Sequence, residues 1–388
     1  MPPRPVFLDY HATTPVDPRV RDAMLPFLGD QFGNASSVNH AYGWAAHDAV
    51  EKAREQVAAL INAPSSRDVV FTSGATESNN LAILGVLRRR GMRGHVITTA
   101  ADHAAVLDPV RFLQRNGVAV TILAVDEHAR VSAEQVAEAI RPETALVSVI
   151  WANNQVGSLN PIAGIAAVCG ARGVWLHVDA SQAAGRIPMD VQSAGVDLLS
   201  LSGHKCHAPQ GVGALYIRPE LPGRPAPAME PLQFGGGHER RIRSGTVSTP
   251  LAVSLGAAAE LAKINLDEDA IRIRALRDRL QSALLDRIPD LVLNGHPTDR
   301  LAGNLNVSVP GVNGETLMSS MKEIAVSSGS ACSTADPEPS HVLIAMGRSR
   351  PLAQASIRFG LGRFTKEAEV DFAAEYVPGV VARLRSGG

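Results

Sequence analysis

The chain has 388 residues, 45% of them hydrophobic, and a formal net charge of −1 at neutral pH. That composition supports a large core, two domains or one large domain with an appendage, and a near-zero charge supplies no global field for nucleic acid or membrane. Three scattered cysteines, Cys169, Cys206 and Cys332, make neither a disulfide framework nor a C-x-x-C metal site. No apolar run approaches the roughly 20 residues of a membrane span, and the first residues lack the regions of a secretory signal. The expectation is a reduced, cytoplasmic protein with free thiols, no bound metal, no membrane contact and no direct nucleic-acid contact.

Residues 1–43 are rich in proline, glycine and polar side chains, with F-G-N-A-S-S at 32–37 as a loop signature. An amphipathic helix is predicted over 44–61, with Val50, Val57 and Leu60 near one face. A short strand at 69–72 runs into Ser73-Gly74-Ala75-Thr76 and a helical stretch at 77–87. A strand, a small-residue turn and a helix start hold anions well, because unpaired N–H groups and the helix dipole point at the turn. An ordinary cap by Thr76 is the simpler reading. Strands and helices then alternate: strand 95–99, helix 104–116, strand 118–125, a short helix opened by Ser132 and Gln135 as a capping box, strand 145–151, helix 162–171, and strands 174–179, 198–201 and 212–217. Continuous apolar strands in repeated β-α units predict a mostly parallel sheet covered on both faces.

In such sheets ligands sit beyond the carboxyl ends of the strands. Polar groups gather there: His103, Asn154, Asp179, Gln182, Ser202, His204 and Lys205. Any one of them serves equally as a cap or turn residue. Lys205 follows an apolar strand and precedes a Pro-Gly-rich turn. A lysine desolvated there has a lowered pKa and acts as an amine nucleophile toward a carbonyl such as pyridoxal phosphate, whereas a solvated surface lysine does not.

Residues 219–231 form a Pro-rich loop, and 234–246 a loop of glycines, three arginines and two hydroxyls. Helices are predicted at 249–265 and 267–288, with a domain boundary near 264. An α+β segment follows: strand 305–309, helix 315–321 and strand 325–326. Next comes a small-residue loop holding Cys332, which reads as exposed and mobile. The strand 356–360 contains Arg358, whose planar fork suits a carboxylate. The last helix, 366–385, is expected to kink or end at Pro378.

Ten strings in this order carry a resemblance: L-D-Y-H-A-T-T-P-V, F-G-N-A-S-S, T-S-G-A-T-E-S-N-N, W-A-N-N-Q-V-G, H-V-D-A-S-Q, S-G-H-K, G-G-G-H-E-R, R-S-G-T, S-S-G-S-A-C and S-I-R-F-G-L-G-R-F-T. Together they resemble the cysteine desulfurases, fold-type I pyridoxal phosphate enzymes of the class V aminotransferase group, nearly end to end. The resemblance implies an α/β fold whose large domain, 16–263, holds a mostly parallel seven-stranded sheet sandwiched by helices. A smaller α+β domain, 1–15 and 264–388, carries the mobile cysteine loop.

It also implies roles. Lys205 carries the cofactor as a Schiff base and moves the Cα proton. Asp179 pairs with the pyridinium nitrogen, His103 stacks on the ring, Gln182 bonds the ring hydroxyl and Asn154 lies beside it. Ala75, Thr76, Ser202 and His204 hold the phosphate, with Thr246 reaching in from the other subunit of a homodimer. Asn34 and Arg358 hold the carboxylate of L-cysteine. Cys332 takes the sulfur as a persulfide and passes it to an acceptor protein in iron–sulfur cluster assembly or thio-modification.

Three departures stand out: Cys206 and His207 where the family usually carries an aliphatic and an aromatic residue, Gln155 where an acid is usual, and a chain that stops soon after its last helix, which leaves the acceptor open. Selenocysteine lyase or another class V activity is the alternative enzyme. A metal site at His204, Cys206 and His207 has the wrong spacing for a common structural zinc. A non-enzymatic scaffold, with Leu87-Arg-Arg-Arg-Gly as a binding patch, leaves the lysine, aspartate, cysteine and arginine set without a use.

Overall fold

The computed structural model describes residues 5–328 and 338–386. Seven strands form the central sheet in the order Val69–Thr72, Gly213–Ile217, Leu198–Ser202, Trp175–Asp179, Thr144–Ile150, His95–Thr99 and Ala119–Leu123. Gly213–Ile217 runs antiparallel to both neighbours, and the remaining pairs are parallel. Six strands therefore end on one edge of the sheet. Thr144–Ile150 is buried at every position, as a strand covered on both faces requires. Helices supply the cover. Ala41–Leu60 and Thr249–Ile264 cross closely because Gly256 has no side chain: a Cβ there would stand 2.5 Å from Ala53 Cα.

A second core is separate from the first. It joins Val6 and Leu8 to Leu276, Leu280, Leu305, Ile357, Phe359, Val377 and their neighbours. Its four-stranded sheet runs Ser327–Ser328, Ser356–Gly360, Asn304–Ser308, Val292–Asn294, all antiparallel. The N-terminal segment enters this core by pairing Val6–Phe7 with Ile324–Ala325.

Three expectations are corrected. The helix after Val69–Thr72 begins at Ala75, and its cap is Gly74, with no side-chain cap bond. Thr76 is thus inside the first turn, and the first-turn N–H groups face outward uncapped. The stretch read as irregular contains a helix, Pro18–Met24, capped by Asp17. It buries only Val20, so it has no apolar period to detect. The last helix, Glu367–Ser386, continues through Pro378. Proline deprives the carbonyl four residues back of its partner, and here Arg287 Nη1 donates to that carbonyl, Ala374 O, at 3.1 Å.

Candidate active site

Lys205 ends a tight turn, Gly203–Lys205, directly after the strand Leu198–Ser202. The turn is set by packing: a Cβ at Gly203 would meet Val212 Cγ1 at 2.8 Å. The lysine Nζ donates to His11 O at 2.5 Å and Ala12 O at 2.6 Å. Burial is the main reason its pKa drops to about 7. The cations Arg186 and Arg358 add to that, and Asp9 and Asp179 oppose it. A neutral amine has two N–H bonds, which the two carbonyls occupy, so its lone pair stays free for attack.

A cavity of about 540 Å³ opens beside this amine. Its lining includes Ala75, Thr76, His103, Asn154, Asp179, Gln182, Ser202, His204, Lys205 and Arg358. Each of these was singled out from the sequence, and the strand ends bring them together. Asp179 ends its strand with 2% exposure. Asn79 Nδ2 donates to its Oδ2 at 2.7 Å, and Ser181 N and the Ser181 hydroxyl donate to Oδ1. His103 caps the helix Ala104–Arg115, with Nδ1 accepting from Ala105 N at 3.1 Å. Its proton therefore sits on Nε2. Desolvation on the protein side lowers its pKa, so the ring is neutral. His204 is pushed down to about 4 by burial first, then by Lys205 and Arg186. It presents no positive charge at neutral pH.

The phosphate-type cradle is built from glycine contacts. A Cβ on Gly213 would stand 2.6 Å from Gly74 Cα, so only glycine lets this strand abut the turn that starts the helix Ala75–Arg89. Uncapped first-turn N–H groups then face the cavity beside Ser202 and His204.

Arg358 lies across the cavity on Ser356–Gly360. Nη1 donates to Asn154 O at 3.0 Å, and Nη2 donates to Asp9 Oδ1 and Ser327 Oγ, each at 2.9 Å. Its fork is thus partly engaged by Asp9, while Nε is buried with no protein partner. Asn154 Oδ1 and His11 Nε2 are likewise buried and unmet. Such orphans are costly unless a bound group completes them.

Two predicted residues are elsewhere. Asn34 is exposed and outside this cavity, its Oδ1 accepting from Ser36 N at 2.9 Å. Thr246 is also exposed and outside it. The two loops adjoin, since Thr249 Oγ1 contacts Gly33 O at 3.5 Å. The arginine-rich loop preceding Thr246 is anchored rather than free: Arg54 grips Glu239 with both Nη atoms, at 2.6 and 2.8 Å, in a buried fork. Cys332 lies outside the described residues.

Sequence reasoning missed Asp9, His11, Asn79, Ser181 and Arg186. Asp102 was also missed. Burial raises its pKa to about 6, and it bonds Thr98 Oγ1, Thr99 N and Ile150 N, fixing the residue before His103. A buried acid adjacent to a strand end was the available signal. Asp9, His11, Asn79 and Ser181 lie inside strings quoted above but were given no role there, and Arg186 lies outside all of them. Cys206 and His207 do not form a metal centre with His204. Cys206 Sγ donates to Gly203 O at 3.3 Å, and His207 Nδ1 faces Pro15 O at 3.0 Å. Among the described residues no cluster of three or more His, Cys, Asp or Glu has metal-binding geometry.

A lysine in a turn at the sheet's carboxyl edge, a buried aspartate and a helix start without a side-chain cap share one cavity. Residues 6–372 match the family Aminotransferase class-V, and the chain belongs to that family. Within it the chain groups with the cysteine desulfurases. It is 50% identical over 383 residues to the cysteine desulfurase of Mus musculus, covering 98% of this chain and 82% of the relative. It is equally identical, over 382 residues, to the cysteine desulfurase IscS of Anaeromyxobacter dehalogenans, covering 98% and 93%. A solved NifS-like protein superposes with a TM-score of 0.90 at 34% identity, covering 98% of this chain and all of the other. No described helix is long and apolar enough to cross a membrane.

Proposed function

We propose that this chain is a pyridoxal phosphate-dependent cysteine desulfurase that converts L-cysteine to L-alanine and moves the sulfur to Cys332. The observation that carries the reading is the Lys205 amine, lowered to about 7, at the mouth of a cavity shared with Asp179 and Arg358. The residues present fit the cofactor. The uncapped helix start with Ala75, Thr76, Ser202 and His204 suits its phosphate, and Asp179 suits a protonated ring nitrogen. Gln182 and Asn154 suit the ring's oxygen side, with Asn154 Oδ1 left unmet by protein. When bound, pyridoxal phosphate supplies an electron sink for bonds broken at the substrate's Cα.

The chain's own residues supply the rest. Arg358 takes the substrate carboxylate, its buried Nε being the free donor. Lys205, once released, takes the Cα proton at Nζ. His103, neutral with its proton on Nε2, covers the ring. The Cys332 thiolate attacks the substrate sulfur; the carbon–sulfur bond breaks with its electron pair left on carbon, which is protonated. Cysteine and thiol thus become alanine and persulfide, with no outside oxidant. The persulfide is then consumed by an acceptor protein, in iron–sulfur cluster assembly or thio-modification.

A homodimer completes the site. Phe32, Val38 and Phe234, in the two loops that also carry Asn34 and Thr246, are 65%, 75% and 80% exposed. Exposed aromatic and aliphatic groups concentrated in this way favour a partner. Thr246 is assigned to the neighbouring protomer's phosphate site, and Asn34, absent from this chain's cavity, is assigned across the same interface. The separate cores support a large domain, 16–263, and a small one, 1–15 with 264–388. The buried thiols of Cys169 and Cys206 suit a reducing compartment such as the cytoplasm. The test is Cys332→Ala. It keeps the cofactor's yellow colour, near about 420 nm, and loses persulfide formation from L-cysteine. Undiminished sulfide release by that variant overturns the reading in favour of a lyase.

A further inference from the structure

We infer that Arg186 is a positioning residue of the reaction: it clamps the segments around Lys205 and, as a cation without a counter-ion among the described residues, holds the lysine amine in its uncharged, nucleophilic form. This rests on the reading of Lys205 as the amine that engages the cofactor.

The geometry is a four-way clamp. Arg186 follows the turn after Asp179. Nη2 donates to Tyr10 O at 2.7 Å and to Lys205 O at 3.0 Å. Nη1 donates to His11 Nδ1 at 2.6 Å and to Gln182 Oε1. One guanidinium thus ties the N-terminal segment, the Gln182 turn and the Lys205 turn together. Gln182 Nε2 closes the ring by donating to His11 O at 2.9 Å, the same carbonyl that receives Lys205 Nζ.

All four acceptors are neutral. A buried guanidinium normally keeps a carboxylate beside it, because leaving it unpaired is costly. The acids in this region are engaged elsewhere. Asp9 binds Arg358. Asp17 binds Arg19 and Arg363. Asp179 is held by Asn79 and Ser181. Burial pushes Arg186 itself down to about 10, still far above neutral pH, so its charge persists.

That charge acts on Lys205 through a poorly screened interior. Lys205 is faced by Asp9 and His11 from the N-terminal segment, Asp179 and Arg186 from the strand end and its turn, His103 from the helix start, His204 from its own turn, and Arg358 from the small sheet. The two acids favour the ammonium. The imidazoles are neutral: burial first, then the cations Arg186 and Arg358, holds His11 well below its ordinary value, and its Nδ1 lies against both Arg186 Nη1 at 2.6 Å and Gln182 Oε1 at 2.9 Å. Of the two cations, Arg358 is paired with Asp9 and Arg186 is not. A neighbouring cation is a known way to make a lysine nucleophilic at neutral pH. Here it is built into the fold at a position with no recognisable motif.

The test uses the full chain freed of cofactor. The rate of Lys205 acylation by acetic anhydride is followed by mass spectrometry across pH. The wild-type midpoint is expected near 7. In Arg186→Met it shifts upward by about one unit or more, toward the ordinary lysine value of about 10.4. In Arg186→Lys, which keeps the charge, it stays within a few tenths of wild type. Were Arg186→Met not to fold, Arg186→Gln would carry the same expectation. A wild-type midpoint above about 9, or equal midpoints in wild type and a folded uncharged variant, overturns the inference. Uptake of pyridoxal phosphate is scored separately, by colour. A wild-type chain that takes up none sinks the cofactor reading and leaves the midpoint comparison standing.

Discussion

Asn79 donates its amide to the Asp179 carboxylate at 2.7 Å, and both side chains are buried. The bond links the first helix after the cradle to the end of a central strand. It orients the one acid among the described residues that is buried and lines the cavity beside Lys205. A carboxylate facing a protonated ring nitrogen works through its charge, which an amide lacks. Asp179→Asn should therefore lower alanine production by on the order of 100-fold or more, with cofactor still visible. Asn79→Ala keeps the charge and loses its orientation, so a smaller loss of about 10-fold is expected, within the range for a net hydrogen bond to a charged group. Full turnover by Asp179→Asn would mean that this acid does not face the ring.

His177 makes the second prediction, one of stability. It sits on a central strand with Nδ1 at 2.8 Å from Ser148 Oγ and Nε2 at 2.9 Å from Ser200 Oγ. Burial lowers it from 6.5 to about 4. The folded chain therefore binds fewer protons than the unfolded chain between those values, and stability rises with pH across that window. Above about 6.5 the residue contributes no pH dependence. As pH falls to about 4 it costs on the order of 3 kcal/mol. His204 and His207, also near 4 through burial, act with the same sign. Denaturant unfolding at pH 7.5, 6 and 5 should show a steep loss that is shallower in His177→Gln. Parallel curves for the two proteins would refute the assignment.

The central sheet was legible because its strands are continuous apolar runs of ordinary length, and Ser132 with Gln135 formed the capping box their spacing announced. The strand ends then told which polar residues meet, since position at a carboxyl end is fixed by connectivity alone. Asp9, His11 and Arg186 were not legible. They reach the site from a two-strand pairing and a turn, neither of which has a period. The short helices His341–Ala345 and Arg350–Gln354 escaped for the same reason: five residues do not complete two turns. Asn34 shows the opposite case: its motif was plain, yet motif membership does not place a loop residue in a cavity, and in this chain Asn34 is exposed and outside the one that Lys205 lines.

Pro378 leads the sequence reading to expect a kink or an end to the last helix, because proline removes a backbone donor. The helix persists because Arg287, from the neighbouring helix Leu266–Arg287, donates to the carbonyl that proline leaves unmet. That compensation is measurable as a coupling. Arg287→Ala should cost about 1 kcal/mol in the wild-type background. In the Pro378→Ala background the helix makes its own bond to Ala374 O, and the cost should fall by more than half. Equal costs in both backgrounds would show that Arg287 is a solvated surface charge.

Cys206 sits next to the reactive lysine, so its inertness has to come from its surroundings. It is 6% exposed, Sγ donates to Gly203 O, and burial pushes its pKa up to about 11. Cys169, inside a helix against the sheet, is pushed up to about 12, again by burial. Only a thiolate reacts quickly, and almost none forms at either position near neutral pH. Native full chain treated with a maleimide at pH 7.5 should therefore leave both unmodified, and unfolding should expose all three thiols. Cys206→Ser should turn over L-cysteine within about 2-fold of wild type, because the hydroxyl can keep the bond to Gly203 O. Rapid native labelling of Cys206, or a large loss in Cys206→Ser, would make this thiol a second stop for sulfur. The sulfur would then pass beside Lys205 rather than leave on Cys332 alone.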